Sequence, residues 1–152
     1  MQSEEDRKHR LTPREARKMR LEEIGVPASF VATIAELSKR EDHLSYVLLD
    51  EDKAYFNLMT SDWADLEETE VTPLATGCNG DTFYLAISCG KSTEFVDFCL
   101  ESGVTERFET FDDLVVSILY GIAYNVKSDE DLMSVAKELG FSGTISLSDM
   151  DL

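Results

Sequence analysis

Asn79-Gly80 is the feature that most restricts what this chain can become. The pair lies between two apolar-rich runs, Val71–Cys78 and Asp81–Ser88. A two-residue type I′ turn needs positive φ at both central positions, which Asn and Gly tolerate better than other residues. The expectation is an antiparallel hairpin with Cys78 opposite Asp81, Thr76 opposite Phe83, Leu74 opposite Leu85 and Thr72 opposite Ile87. In that register Leu74, Phe83, Leu85 and Ile87 share one face. A second turn at Gly90-Lys91-Ser92 leads to a further strand over Glu94–Leu100. Upstream, Leu44–Leu49 and Ala54–Met59 flank the acidic run Asp50-Glu51-Asp52-Lys53 and read as another hairpin. Thr60–Glu70 reads as a loop or short helical turn around Trp63.

Helical periodicity brackets this run of strands. Thr12, Pro13 and Glu15 suit the cap, first turn and third position of a helix running to about Glu23 and stopping at Gly25. Its apolar face is thin, chiefly Ala16, Met19 and Ile24, as in an appended helix. Pro27 opens a second helix near Ala28–Lys39 with Phe30, Val31, Ile34 and Leu37 on one side. Thr110 caps a third, carrying Asp112 and Asp113 in its first turn, where the helix dipole favours carboxylates. Its stripe is Phe111, Leu114, Val115, Ile118, Leu119 and Ile122. Ser128 caps a fourth, lined by Leu132, Val135, Ala136 and Leu139, with a Schellman stop at Gly140-Phe141. The tail from Ser142 is expected to be a short edge strand or loose. The fold class is therefore α+β: an antiparallel sheet of five to six strands with helices mainly on one face. Residues 1–10 form a polar arm and 11–152 a single domain.

Charge is the other constraint. The chain has 14 basic and 31 acidic residues, net −17. Residues 1–20 carry seven basic and four acidic groups (+3), leaving seven basic and 27 acidic groups (−20) on residues 21–152. So acidic a body speaks against binding nucleic acid or an anionic membrane. The basic segment is expected to fold back onto it. The alternative, a separate contact to nucleic acid or lipid, lacks an aromatic residue to stack or insert. No apolar run approaches a membrane span, and the charged start has no signal-peptide character, so a soluble cytoplasmic protein is expected.

No nucleotide-binding, zinc-protease or serine-hydrolase motif occurs, and neither metal nor cofactor is expected. Cys78, Cys89 and Cys99 form no CxxC pair. In the hairpin register Cys78 and Cys89 stand roughly 25 Å apart, too far to share a zinc ion or a disulfide. A hydrolase with Cys89 as nucleophile and His43 as base has no supporting motif around it. The residues best suited to a function are carboxylates facing a basic protein partner. They are Asp50, Glu51 and Asp52, then Asp62, Asp65, Glu67, Glu68 and Glu70 around Trp63, a side chain suited to either a core or an interface.

Thr72-Pro73-Leu74-Ala75 followed by Gly77-Cys78-Asn79-Gly80-Asp81-Thr82-Phe83-Tyr84-Leu85 resembles the SUKH superfamily pattern of a strand, a Gly-Asp turn and an alternating strand. Val26-Pro27 with Phe30 and Leu37 is similar to that family's opening helix. Glu94–Leu100 and Glu109-Thr110-Phe111-Asp112-Asp113-Leu114 are similar to its last strand and C-terminal helix. The resemblance spans about residues 24–124, and segment 35–43 lacks the family's Asn-Gly turn. It implies a non-enzymatic α+β binding domain. Family members include immunity proteins that neutralise toxins, often basic nucleases, and regulators of cell-wall synthesis. The expectation is an immunity protein covering a cationic toxin, with a regulatory adaptor as the alternative.

Overall fold

The computed structural model describes residues 10–41, 44, 48–49, 51–59, 70–77 and 81–150. The helices are α1 (Arg17–Glu23), α2 (Ala28–Ala35), α3 (Glu51–Met59), α4 (Phe111–Ile122) and α5 (Asp129–Glu138). Four full strands, β2 (Glu70–Gly77), β3 (Thr82–Cys89), β4 (Ser92–Cys99) and β5 (Gly103–Phe108), run antiparallel, and the two-residue β1 (Leu48–Leu49) pairs with β2 at one edge. The strand order follows the chain, β1-β2-β3-β4-β5. The architecture is the expected α+β one, with four full strands rather than five or six.

The hairpin register holds at Thr76↔Phe83 but shifts by one between Pro73 and Ala75, so that Pro73 pairs with Leu85 and Val71 with Ile87. Leu74 is the extra residue of a bulge. Proline has no N–H to give the ladder, which makes its surroundings a natural place for the irregularity. The slip corrects the expected face. Leu74 packs on one side of the sheet with α1, α2, α4 and α5, whereas Phe83, Leu85 and Ile87 pack on the other with Leu58 of α3. The turn at 78–80 lies outside the described residues. The next hairpin closes as expected, with Cys89 opposite Ser92.

Three other expectations are corrected. Ala54–Met59 is helix, not strand. Ala54 and Leu58, four apart, are fully buried while Phe56 is 68% exposed, a helical rather than an alternating pattern. Glu51-Asp52-Lys53 of the acidic run is the start of α3, where carboxylates suit the dipole, rather than a hairpin turn; Asp50 lies outside the described residues. This helix also covers the face opposite the other four. Gly103–Phe108 is a strand that the sequence reading passed over, pairing Phe108 with Phe95 and Glu106 with Asp97. The tail is neither strand nor loose. It ends in a 3₁₀ turn, Leu147–Met150, with Met150 buried, and it is pinned by Leu147 N–H donating to Asp129 Oδ1 (2.7 Å) and Ser142 N–H to Asp112 Oδ1 (3.0 Å).

The caps of the later helices stand as expected. Thr110 accepts from Asp113 N–H and Ser128 from Asp131 N–H. Phe111 then meets Phe30 of α2 and Phe95 of β4 edge-on, with ring centroids 5.0 and 5.5 Å away, fixing α4 to both layers. Gly140 completes a Schellman stop with Phe141 N–H on Ala136 O and Gly140 N–H on Lys137 O. Gly140 has φ +82°, and a Cβ there would lie 2.5 Å from Pro27 Cβ.

Candidate functional site

Two charged regions emerge, and they are built differently. In the first, the segment from Leu11 to Glu23 docks on β2. Leu11 bridges Val71, Thr12 N–H donates to Val71 O (2.8 Å), and the buried Thr12 hydroxyl meets Thr72 Oγ1 at 2.7 Å and Glu70 Oε1 at 3.0 Å. Thr12 is therefore a sheet contact and not a helix cap; Pro13 takes the cap position of the 3₁₀ turn that leads into α1. Leu21 is fully buried in the main core and Met19 is 61% exposed, which makes α1 a core element rather than an appended one.

Arg17 is the centre of this contact. Only 2% exposed, it donates from Nε to Pro73 O (2.8 Å) and from Nη2 to Leu74 O (2.9 Å). Those carbonyls belong to the bulge, where the regular ladder is interrupted. The planar guanidinium matches two neighbouring oxygens in a way that an ammonium cannot. Around it Arg14 pairs with Asp52, and Arg20 pairs with Glu70 (3.0 Å) and Glu23 (3.2 Å). The expected folding-back of basic residues onto the acidic body thus takes place over this stretch.

This accounts for part of the acidic set picked out from sequence. Asp52 and Glu70 both carry arginine partners from the N-terminal segment. Glu51 begins α3. Asp50, Asp62, Trp63, Asp65, Glu67 and Glu68 lie outside the described residues. Cys89 is exposed at the β3–β4 turn and Cys99 lies at the far end of β4, while Cys78 and His43 also fall outside the described residues.

The second region is the corner of β4, β5 and α4. Between residues 94 and 113 stand Glu94, Asp97, Glu101, Glu106, Glu109, Asp112 and Asp113, seven carboxylates against the single Arg107. Arg107 is joined to Glu94. Tyr84, Asp97 and Glu106 form a cross-strand row on the face under α4. Asp97 Oδ1 is buried with no hydrogen-bond partner among the described residues. Burial holds the Asp97 carboxyl above the ordinary carboxylate range, and the Glu106 charge opposite adds to that. Burial likewise raises the Tyr84 phenol; a hydrogen bond with Ser117 of α4 offsets part of this, and the charges of Asp97 and Glu106 push the same way as burial.

On α4, Ser117 shares a flank with Asp113 and Tyr120 by helical spacing, and Tyr124 follows in the 3₁₀ turn Ala123–Asn125; the two tyrosines are 46% and 80% exposed. Sequence reading missed this corner because Asp97 and Glu106 are brought together only by strand register. Among the described residues no group of three or more His, Cys, Asp or Glu is placed to hold a metal ion. No described helix is long and apolar enough to cross a membrane. No family model, curated protein or solved structure matches the chain.

Proposed function

We propose that this chain is a non-catalytic, SUKH-type binding domain that engages a basic protein, in the manner of an immunity protein covering a cationic, nuclease-type toxin. The observation that carries the reading is the unequal use of charge. The arginines of the N-terminal segment are spent on the fold itself, so they do not neutralise the corner at β4–β5. What remains is an excess of carboxylates over residues 94–113, with Asp97 opposite Glu106, and two exposed tyrosines at 120 and 124. Such a field steers a basic partner and favours it over acidic competitors. The antiparallel sheet with helices on its faces accords with the SUKH-like segments of the sequence.

The test is capture of a partner from native lysate followed by titration of the purified pair at rising salt. Affinity should fall steeply as ionic strength rises, because screening shortens the reach of surface charges. A complex equally tight at low and high salt would overturn the electrostatic reading.

A further inference from the structure

We infer that the shelf between the end of α4 (Ser117 and Tyr120, with Tyr124 in the 3₁₀ turn after it) and the Tyr84–Asp97–Glu106 row is the docking surface for an arginine-bearing segment of a partner protein. This deepens the reading above and rests on it. Three observations meet at the shelf. The first is a pair of exposed tyrosines, Tyr120 in the last turn of α4 and Tyr124 in the 3₁₀ turn that follows it. Single exposed aromatics are ordinary on a surface; two so close in the chain give a partner apolar area to pack on. The second is the cross-strand pairing of Asp97 with Glu106, two like charges placed opposite each other, an arrangement that opposes sheet pairing.

The third is that Asp97 Oδ1 is buried without a partner among the described residues. The nearest cation in sequence, Arg107, alternates to the opposite face of β5 and is engaged with Glu94 there. A carboxylate oxygen left without a donor weakens the isolated fold. A guanidinium from outside would pair with the Asp97 and Glu106 carboxylates together and lay its flat face on a tyrosine ring. A lysine ammonium would satisfy the charge but not the stacking or the fork. The occupant is accordingly arginine in preference to lysine. β5 is the last strand of the sheet among the described residues, so the row ends at a sheet edge.

The experiment titrates the full chain with a fluorescein-labelled nona-arginine peptide and, in parallel, with nona-lysine. Tyr120→Ser/Tyr124→Ser together, and Asp97→Asn alone, should each weaken nona-arginine binding at least about tenfold, the scale of an interface hot spot. Asp52→Asn should leave binding unchanged, and nona-lysine should bind more weakly than nona-arginine. Thermal melts accompany each variant. Asp97→Asn should melt no lower than the parent, so that lost binding with retained stability separates a docking role from a structural one. Glu106→Gln serves as a second variant with the same expectation. If the shelf variants bind like the parent, or Asp52→Asn is the one that weakens the complex, the docking surface is wrong while the basic-partner reading stands. If the parent chain fails to bind nona-arginine even at low salt, both fall.

Discussion

The N-terminal contact and the β4–β5 corner handle charge in opposite ways. At the first, a buried Arg17 grips two bulge carbonyls and its neighbours pair with Asp52 and Glu70, so polar groups hold the sheet and α1 together. At the second, Asp97 faces Glu106 across the ladder with a buried oxygen lacking a donor. One region turns charge chiefly into cohesion; the other sets two carboxylates against each other across the ladder. A fold that can place an arginine so well in one corner, and leaves a carboxylate unmet in another, separates the parts that hold it from the part that meets something else.

The largest expected effect breaks the cohesive side. Arg17→Ala strands two carbonyls and removes a buried side chain, and urea unfolding should register a loss of about 3–4 kcal/mol, as for other broken buried charged contacts. Arg17→Lys should recover only a minor part, because the fork is lost. Next comes Gly140→Ala, which combines a strained left-handed backbone with a collision against Pro27. A loss of about 2–3 kcal/mol is expected from the sum of those two costs. Gly25→Ala, whose added methyl meets nothing within 4 Å, should cost only about 1 kcal/mol.

The corner should behave in the reverse sense. Asp97→Asn is expected to leave stability unchanged or raise it by about 0.5 kcal/mol, a modest figure because the group is partly in solvent. The pH dependence gives the same result by another route. The folded Asp97 binds its proton more tightly than the unfolded chain does, so the native state holds more protons in the window above the ordinary value of 3.8. Stability contributed by this group is therefore greatest in acid and falls as pH rises through its raised folded value. Denaturation midpoints of parent and Asp97→Asn, compared across that window, should converge toward low pH and separate as pH rises. Parallel curves would remove Asp97 from the account.

Much of the frame was legible because periodicity reports burial. Phe30 and Ile34, and the stripe from Leu114 to Ile122, are buried as their spacing predicts. The Gly140-Phe141 stop was readable because its requirement is local. What escaped depended on tertiary context. Tyr55 and Phe56 favour strands by propensity, yet Ala54 and Leu58 are buried while Phe56 between them is exposed, which a helix allows and a strand does not. The bulge at Leu74 shifts all of β2 upstream of it by one residue against β3, and no turn or alternation in the sequence announces it. β5 hides because Thr105-Glu106-Arg107 carries no apolar signal, and Thr105 is itself the extra residue of a second register shift. For the candidate site, acidic density pointed to residues 50–70. The row at Asp97 and Glu106 exists only once β4 and β5 have paired, and no pattern in the sequence marks Arg17 as buried.

The Leu74 bulge also has a temporal consequence. The acceptors that Arg17 holds come together only after β2 and β3 have settled into their shifted alignment, so the segment from Leu11 to Glu23 is placed late. Contacts formed after the rate-limiting step act on escape from the native state rather than on arrival there. In stopped-flow measurements Arg17→Ala should therefore speed unfolding and leave the refolding limb nearly where it was, making this one guanidinium a latch on the lifetime of the folded molecule.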